Sequence, residues 1–427
     1  MLVDWKLWVS SLRPDEIGAI LFFMLFVDGT RYVFCTLSMA VADACFAVWD
    51  FLCGRRSPKH YEHCPSICLL LVGHNEGNQI EAGLESVWGR YPRSEIIVVD
   101  DGSTDGMAEN ARRFARTHAG VLVLSRPERG GKSSALNWGL AYTRADIVVC
   151  LDTDSHLSET ALWEIVQPFT DPSVGAVSAT VGARNAFDNL CSWLQAYEYR
   201  QTIFMGRMMQ SRLGTLGIVS GAFGAFRRSL LENVGGWDVG PGEDGDLVLR
   251  ILKSGYRIAT APYAECFTDV PSTWQRLFTQ RKRWDRTVIT FECRKHLDLA
   301  FCWFANFRLS SCMLLLERWM FGVGCVFMYW AYGLWLCIHS DGNLPALIGF
   351  LYACQLSLEI VQLMLLLCYS STPWRDLKIA CVLPFYPLYQ AFLKAVDAIA
   401  LIQEIFYRSS RDDNFVPQRV RQATWHW

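Results

Sequence analysis

Apolar positions fall along this chain in two rhythms. Between residues 66 and 154 they form short runs of strand length, parted by polar loops. After residue 299 they form runs long enough for helices in lipid. Residues 66–72, flanked by Pro65 and Gly73, predict a first strand, followed by His74-Asn75-Glu76-Gly77 and helical pattern through Trp88. Residues 96–99 predict a second, ending in Asp100-Asp101-Gly102-Ser103-Thr104-Asp105. Residues 121–124 predict a third, with Gly130-Gly131-Lys132-Ser133-Ser134 after it. Residues 147–151, rich in β-branched side chains, predict a fourth that ends in Asp152-Thr153-Asp154. Such strands with helical pattern between them are the signature of βαβ units, and strands covered on both faces read as unbroken apolar runs. Ligands bind at the carboxyl edge of sheets of this kind, so the four polar loops are where chemistry is expected.

The longer runs predict a membrane portion. Residues 17–52 lack the basic start and small-residue cleavage site of a removable leader, and are read as a signal anchor. Asp28, Gly29 and Arg31 interrupt this run: either the helix carries an Asp28/Arg31 pair at i,i+3 or it begins after them. Arg55, Arg56 and Lys59 follow it, while Asp4, Lys6, Arg13, Asp15 and Glu16 precede it as a mixed set, which places the next domain in the cytoplasm. Residues 299–318, with Arg308, Glu317 and Arg318, predict an interfacial helix or a tilted span. Residues 319–338 carry no charge and reach the roughly 20 residues that cross a bilayer. Residues 344–368 form a further span whose Glu359 must face protein or a channel. Residues 379–406, with Pro384, Pro387, Lys394, Asp397 and Glu404, are either a broken span or an interface helix. Arg408, Arg411, Arg419 and Arg421 keep the tail cytoplasmic, so an even number of C-terminal crossings is expected, read as two full spans plus interfacial helices. The resulting division is an anchor region at 1–60, a cytosolic α/β domain at 61–298, interfacial and transmembrane helices at 299–406, and a cytosolic tail at 407–427.

Composition agrees with this layout. The 427 residues are 52% hydrophobic and only 19% charged, high for a soluble chain. A net charge of −2 supplies no basic field for nucleic acid. The 16 cysteines show neither CxxC pairs nor the His/Cys spacing of a zinc site, and read as reduced, mostly buried small hydrophobes.

The loops carry the candidate chemistry. Asp152 and Asp154, one residue apart at a strand end, can hold a hard divalent cation, Mg²⁺ or Mn²⁺, that keeps its other positions for water and phosphate oxygens. Alone, such a pair is more often an Asx turn. Asp100-Asp101 can accept hydrogen bonds from a nucleobase or ribose, or can serve as a helix cap. Gly130-Gly131-Lys132 is a plausible phosphate-facing turn without Walker A spacing, with Lys132 as its cation. Farther on, Gln280-Arg281-Lys282-Arg283-Trp284 pairs cations that can clamp diphosphate with an indole that can face a sugar ring. By itself it would more often anchor a membrane surface.

Taken in order, His74-Asn75-Glu76-Gly77, Val98-Val99-Asp100-Asp101-Gly102-Ser103-Thr104-Asp105, Gly131-Lys132-Ser133-Ser134-Ala135-Leu136-Asn137 and Leu151-Asp152-Thr153-Asp154 resemble a family 2 glycosyltransferase of GT-A fold. The resemblance implies a Rossmann-like mixed sheet. It implies that Glu76, Asp101, Lys132, Asp152 and Arg283 contact the nucleotide donor, and that Asp152 and Asp154 hold the metal. Residues 219–228 resemble the acceptor-side segment, with Gly221 letting a sugar approach the backbone. Gly242-Glu243-Asp244-Gly245 resembles the Glu-Asp motif, which assigns the general base of an inverting transfer to Asp244. Gln280, Arg283 and Trp284 match QxxRW of the processive members, and put Gln280 and Trp284 on the acceptor or channel side. Where those members usually have glycine soon after the tryptophan, this chain has Asp285-Arg286-Thr287. As a group the resemblance is to cellulose, hyaluronan, chitin-oligomer and poly-N-acetylglucosamine synthases. It implies a UDP-sugar donor, UDP-N-acetylglucosamine or UDP-glucose, a growing polysaccharide acceptor and a bacterial inner-membrane setting. Regulation or export is expected to fall to a partner subunit. The competing readings are a single-addition transferase using a lipid-linked acceptor and a non-catalytic membrane subunit with a retained UDP-binding domain.

Overall fold

β1 (Ile67–Gly73) is buried along its whole length, because its side chains meet helices on both faces of the sheet. Ile67, Leu69 and Leu71 pack into one core cluster, Cys68, Leu70 and Val72 into another. The remaining strands of the computed structural model are β2 (Ser94–Asp101), β3 (Val121–Arg126), β4 (Ile147–Asp152), β5 (His156–Leu157), β6 (Val174–Ala183), β7 (Phe223–Arg227) and β8 (Arg257–Thr268). The structure describes residues 10–53, 61, 63–238, 242–304, 307–339, 343–412, 417, 418 and 420.

All eight strands join one mixed sheet in the order β3-β2-β1-β4-β7-β6-β8-β5. The four strands expected from sequence form its parallel half: β1 pairs in parallel with β2 and β4, and β2 with β3. Register sets their carboxyl ends level, Gly73 beside Asp100, Val72 beside Asp152 and Asp101 beside Arg126. The acidic loops therefore leave a common edge. β7 runs antiparallel to both β4 and β6, while β8 lies parallel to β6, so the ends of β6 and β8 return to that edge.

Among the described residues, four helices are long and apolar enough to cross a membrane: Cys35–Leu52, Leu309–Ile338, Leu344–Tyr369 and Leu383–Tyr407. The first begins after the interruption at Asp28–Arg31, whose own side chains lie outside the described residues. Arg55, Arg56 and Lys59 also lie outside them. Two C-terminal expectations change. Residues 309–338 form one continuous helix, so of the two readings for 299–318 its second half joins the span at 319 and is not a separate interfacial helix. Arg318 can stay inside it because its guanidinium pairs with Glu292. Among the described residues three C-terminal helices, where two full spans were expected, have the length and apolarity of a span. The added one has its charges partnered: Lys394 lies 3.7 Å from Asp397 on the same helix, and Glu404 takes Arg294 from a segment 110 positions away at 2.7 Å. Glu359 faces protein, accepting from Gln390 at 3.0 Å and from the Tyr197 hydroxyl at 3.4 Å.

Candidate active site

Lys132 is the first residue of the helix Lys132–Leu140, and Gly131 before it has φ +90°, a conformation that a side chain would strain. That turn is pinned from below. The Asp101 carboxylate, 3% exposed, accepts the backbone N–H groups of Gly130 and Gly131, each at 2.8 Å, and Arg126 Nε at 2.5 Å. Asp100 is spent similarly on Ser103 N at 3.0 Å and Ser125 Oγ at 2.8 Å. The structure thus places Asp101 beneath the lysine turn, with its carboxylate engaged by that turn and by Arg126.

The Lys132 ammonium reaches across the edge to Asp152 Oδ1 at 2.6 Å and lies 3.9 Å from Glu243. Burial works against this charge, but Asp152, Glu243 and Asp244 outweigh it and hold the ammonium above its ordinary range. Asp152 N donates to the Ala222 carbonyl at 3.2 Å, fastening the end of β4 to the segment that carries Gly221. A Cβ built on Gly221 would stand 3.2 Å from Lys132 Nζ and 3.5 Å from Asp244 Oδ2. Lys132, Asp152, Gly221 and Asp244 therefore meet at one point, although the sequence spreads them over more than a hundred residues. If Gly221 faces an acceptor sugar, Gly221→Ala is expected to keep the fold while lowering kcat/KM for transfer roughly tenfold, about 1–2 kcal/mol for the crowding of a tight site, as read by steady-state kinetics beside thermal unfolding.

Asp244 sits in the first turn of the helix Glu243–Lys253, where negative charge is favoured by the helix dipole. Its Oδ1 accepts Gly245 N at 2.9 Å. Asp246 anchors the same turn, 1% exposed, with His296 at 2.8 Å, Lys295 at 2.7 Å and Arg250 at 2.9 Å. Burial raises its pKa, but these partners prevail and hold the carboxyl well below the usual range. Burial pushes the Glu243 carboxyl up, against the opposing pull of Lys132, and Arg283 also bears on it.

The second acidic cluster surrounds Asp154. Burial and then the neighbouring Asp152 raise its pKa, and Thr268 Oγ1 donates to it at 3.2 Å. Glu76 is raised by burial and by Asp154, Asp105 and Asp152 in turn. Carboxylates that disfavour one another's charge are hard oxygen donors whose repulsion a divalent cation relieves, so the set fits Mg²⁺ or Mn²⁺. Among the described residues no three His, Cys, Asp or Glu side chains form a cage by themselves.

Gln280, Arg283 and Trp284 lie on the helix Trp274–Thr287, capped by Thr273. Gln280 lines a cavity of about 690 Å³ with Arg184, Asn185, Asp188, Asp269 and Arg276. Arg184 is a site-edge residue that sequence reasoning passed over: it holds Asp269 through Nε at 2.9 Å and Nη2 at 2.5 Å, and contacts His156 at 2.5 Å. The end of the helix returns to the turn before Glu243 and Asp244, since Thr287 Cγ2 would be 2.7 Å from a Cβ on Gly242. Trp284 keeps 38% of its surface exposed.

A mixed sheet with acidic loops and an Asp-x-Asp turn at one edge, joined to membrane-length helices, defines a GT-A-like glycosyltransferase domain. Residues 65–287, just over half of the chain, match the family described as glycosyltransferase like family 2, and the chain belongs to that family. It is 34% identical over 221 residues to a poly-beta-1,6-N-acetyl-D-glucosamine synthase of Staphylococcus aureus (strain MSSA476), covering 51% of this chain and 53% of that one. It is 33% identical over 227 residues to the enzyme of the same description from Staphylococcus epidermidis, covering 52% and 55%. The chain thus spans about half the length of the curated relatives it matches. A mannosyltransferase from Pyrobaculum calidifontis, solved with GDP-Man and Mn²⁺, superposes with a TM-score of 0.58 over 91% of this chain and 98% of its own. At 22% identity that likeness speaks for the fold.

Proposed function

We propose that this protein is an inverting, metal-dependent, processive glycosyltransferase that builds a β-linked polysaccharide from a UDP-sugar, UDP-N-acetylglucosamine before UDP-glucose, and passes the chain across the membrane. The observation that carries the reading is the convergence of Lys132, Asp152, Gly221 and Asp244 at one point of the sheet edge. The choice of sugar leans on the printed activity of the staphylococcal relatives.

In this reading Lys132 and Arg283 bind the diphosphate as point charge and planar fork. When bound on Asp152 and Asp154, the divalent ion supplies positive charge against the leaving diphosphate. Asp244 takes the proton of the acceptor hydroxyl as its oxygen bonds to the anomeric carbon from the face opposite UDP. The bond from that carbon to the diphosphate oxygen breaks, and UDP leaves with the electron pair. Gly221 leaves room for the acceptor ring beside the base, and Trp284 offers it a flat face. The catalytic domain faces the cytoplasm, where UDP-sugars are made, and the apolar helices lie in the inner membrane.

The test is product formation by the full chain in nanodiscs with Mg²⁺ or Mn²⁺ and each common UDP-sugar singly. Polymer from one donor, with stoichiometric UDP, is the expected result. Addition of a single sugar would favour the lipid-acceptor transferase, and UDP binding without release would favour the non-catalytic subunit.

A further inference from the structure

Trp284 is not a free-standing platform. The Arg281 guanidinium lies over its ring at 4.4 Å from the centroid, and over the Tyr199 ring at 5.6 Å. Arg281 is itself only 7% exposed, and its Nη2 donates to Glu198 Oε2 at 2.9 Å. The same oxygen accepts the Tyr389 hydroxyl at 2.6 Å, while Glu198 and Tyr389 are 8% and 2% exposed. Three elements thus meet on one carboxylate: the helix Leu190–Tyr199 of the catalytic domain, the helix Trp274–Thr287, and the helix Tyr386–Tyr407. Burying an arginine and a glutamate costs several kcal/mol of desolvation per ion unless their geometry is well satisfied, so the arrangement is a poor device for stability alone. Its geometry suits a different task. A planar cation packed on one face of an indole fixes the ring plane, and Trp284 still keeps 38% of its surface exposed, with Arg281 the cation stacked on it among the described residues.

We propose that Arg281, held by Glu198 and Tyr389, is a positioning residue that fixes the plane of Trp284, so that its open face receives the sugar ring at the growing end of the glycan. This rests on the synthase reading above. The cation also draws electron density toward its own side of the indole, which makes the clamp a matter of orientation rather than of added affinity on the open face. Because Tyr389 closes the network from a membrane-length helix, the platform is held in fixed relation to the route that the product would take.

The experiment uses the full chain in nanodiscs and two variants, Arg281→Lys, which keeps charge but loses the planar stack, and Tyr389→Phe, which removes one hydrogen bond. Binding of UDP and of a short β-linked N-acetylglucosamine oligosaccharide is measured by calorimetry, and product length is read from turnover. Arg281→Lys is expected to weaken oligosaccharide binding about tenfold and to shorten the product, with UDP affinity and unfolding temperature essentially unchanged. Tyr389→Phe should weaken the oligosaccharide about threefold. Equal loss of UDP and oligosaccharide affinity, or no change in either, would overturn the positioning role, as would a wild type that binds no oligosaccharide. If the variants selectively lose the oligosaccharide but the wild type fails to lengthen it with any UDP-sugar supplied, the positioning role stands and the synthase reading falls.

Discussion

Asp244→Asn is expected to lower sugar transfer by about three orders of magnitude while leaving UDP affinity within about twofold of the wild type, within the range of general-base contributions. The substitution is close to isosteric. Asn can still accept Gly245 N, as Asp244 Oδ1 does at 2.9 Å, so the first turn of its helix keeps that hydrogen bond. What it lacks is a second oxygen able to take a proton at the point where Gly221 and Lys132 converge. Donor binding should persist because the Lys132 contact to Asp152 at 2.6 Å does not involve this side chain. Glu243→Gln is the informative companion: Glu243 lies 3.9 Å from Lys132, so its loss should raise the donor KM more than it lowers kcat. Transfer by Asp244→Asn above a tenth of the wild-type rate would end the assignment of Asp244 as base.

That pair of acids also marks where sequence reading stopped. Glu243, Asp244 and Asp246 stand in one glycine-rich stretch, and composition cannot rank them. Only the fold sends Asp246 inward onto His296, Lys295 and Arg250 and leaves Asp244 at the edge. Asp101 is a similar case, since a strand-end carboxylate looks free until the Gly130-Gly131 turn folds over it. The parallel half of the sheet was legible because β1, β2 and β4 have apolar runs covered on both faces, with their loops at the ends. The other half was not. β6 is largely Val, Ala and Gly, β7 read as a small-residue acceptor segment, and β8 mixes charged and apolar positions; each is held by partners far away in sequence. In the membrane part, charges at Arg318 and Glu404 looked like breaks in a span. Their partners Glu292 and Arg294 lie in a segment preceding the spans, so the neutralisation is a tertiary fact that hydropathy does not carry. Arg281 was read as one letter inside a motif, and its bond to Glu198 spans 83 positions.

Asp154→Asn is expected to reduce turnover by about three orders of magnitude, roughly 4 kcal/mol of transition-state stabilisation, and to do so without weakening the fold. The two halves of this expectation have one cause. Asp154 is half-buried beside Asp152, and Glu76 also feels its charge, so without a cation these acids oppose one another. An amide removes one negative charge from the cluster and can still accept the Thr268 hydroxyl, which now sits 3.2 Å from Oδ2. The unfolding temperature of the metal-free variant should therefore equal or exceed that of the wild type. Adding Mn²⁺ with UDP should raise the wild-type unfolding temperature, since a ligand that binds only the native state stabilises it by mass action, and should leave the variant unmoved. Asp152→Asn should behave differently. Its carboxylate is also the partner of Lys132, so the variant should lose the metal-dependent rise and UDP affinity together. A wild-type-sized Mn²⁺ response in Asp154→Asn would show that the ion is held elsewhere. In that event the repulsion between Asp154, Asp152 and Glu76 would have to be offset by another cation, and Lys132, 2.6 Å from Asp152, already bears on Asp154.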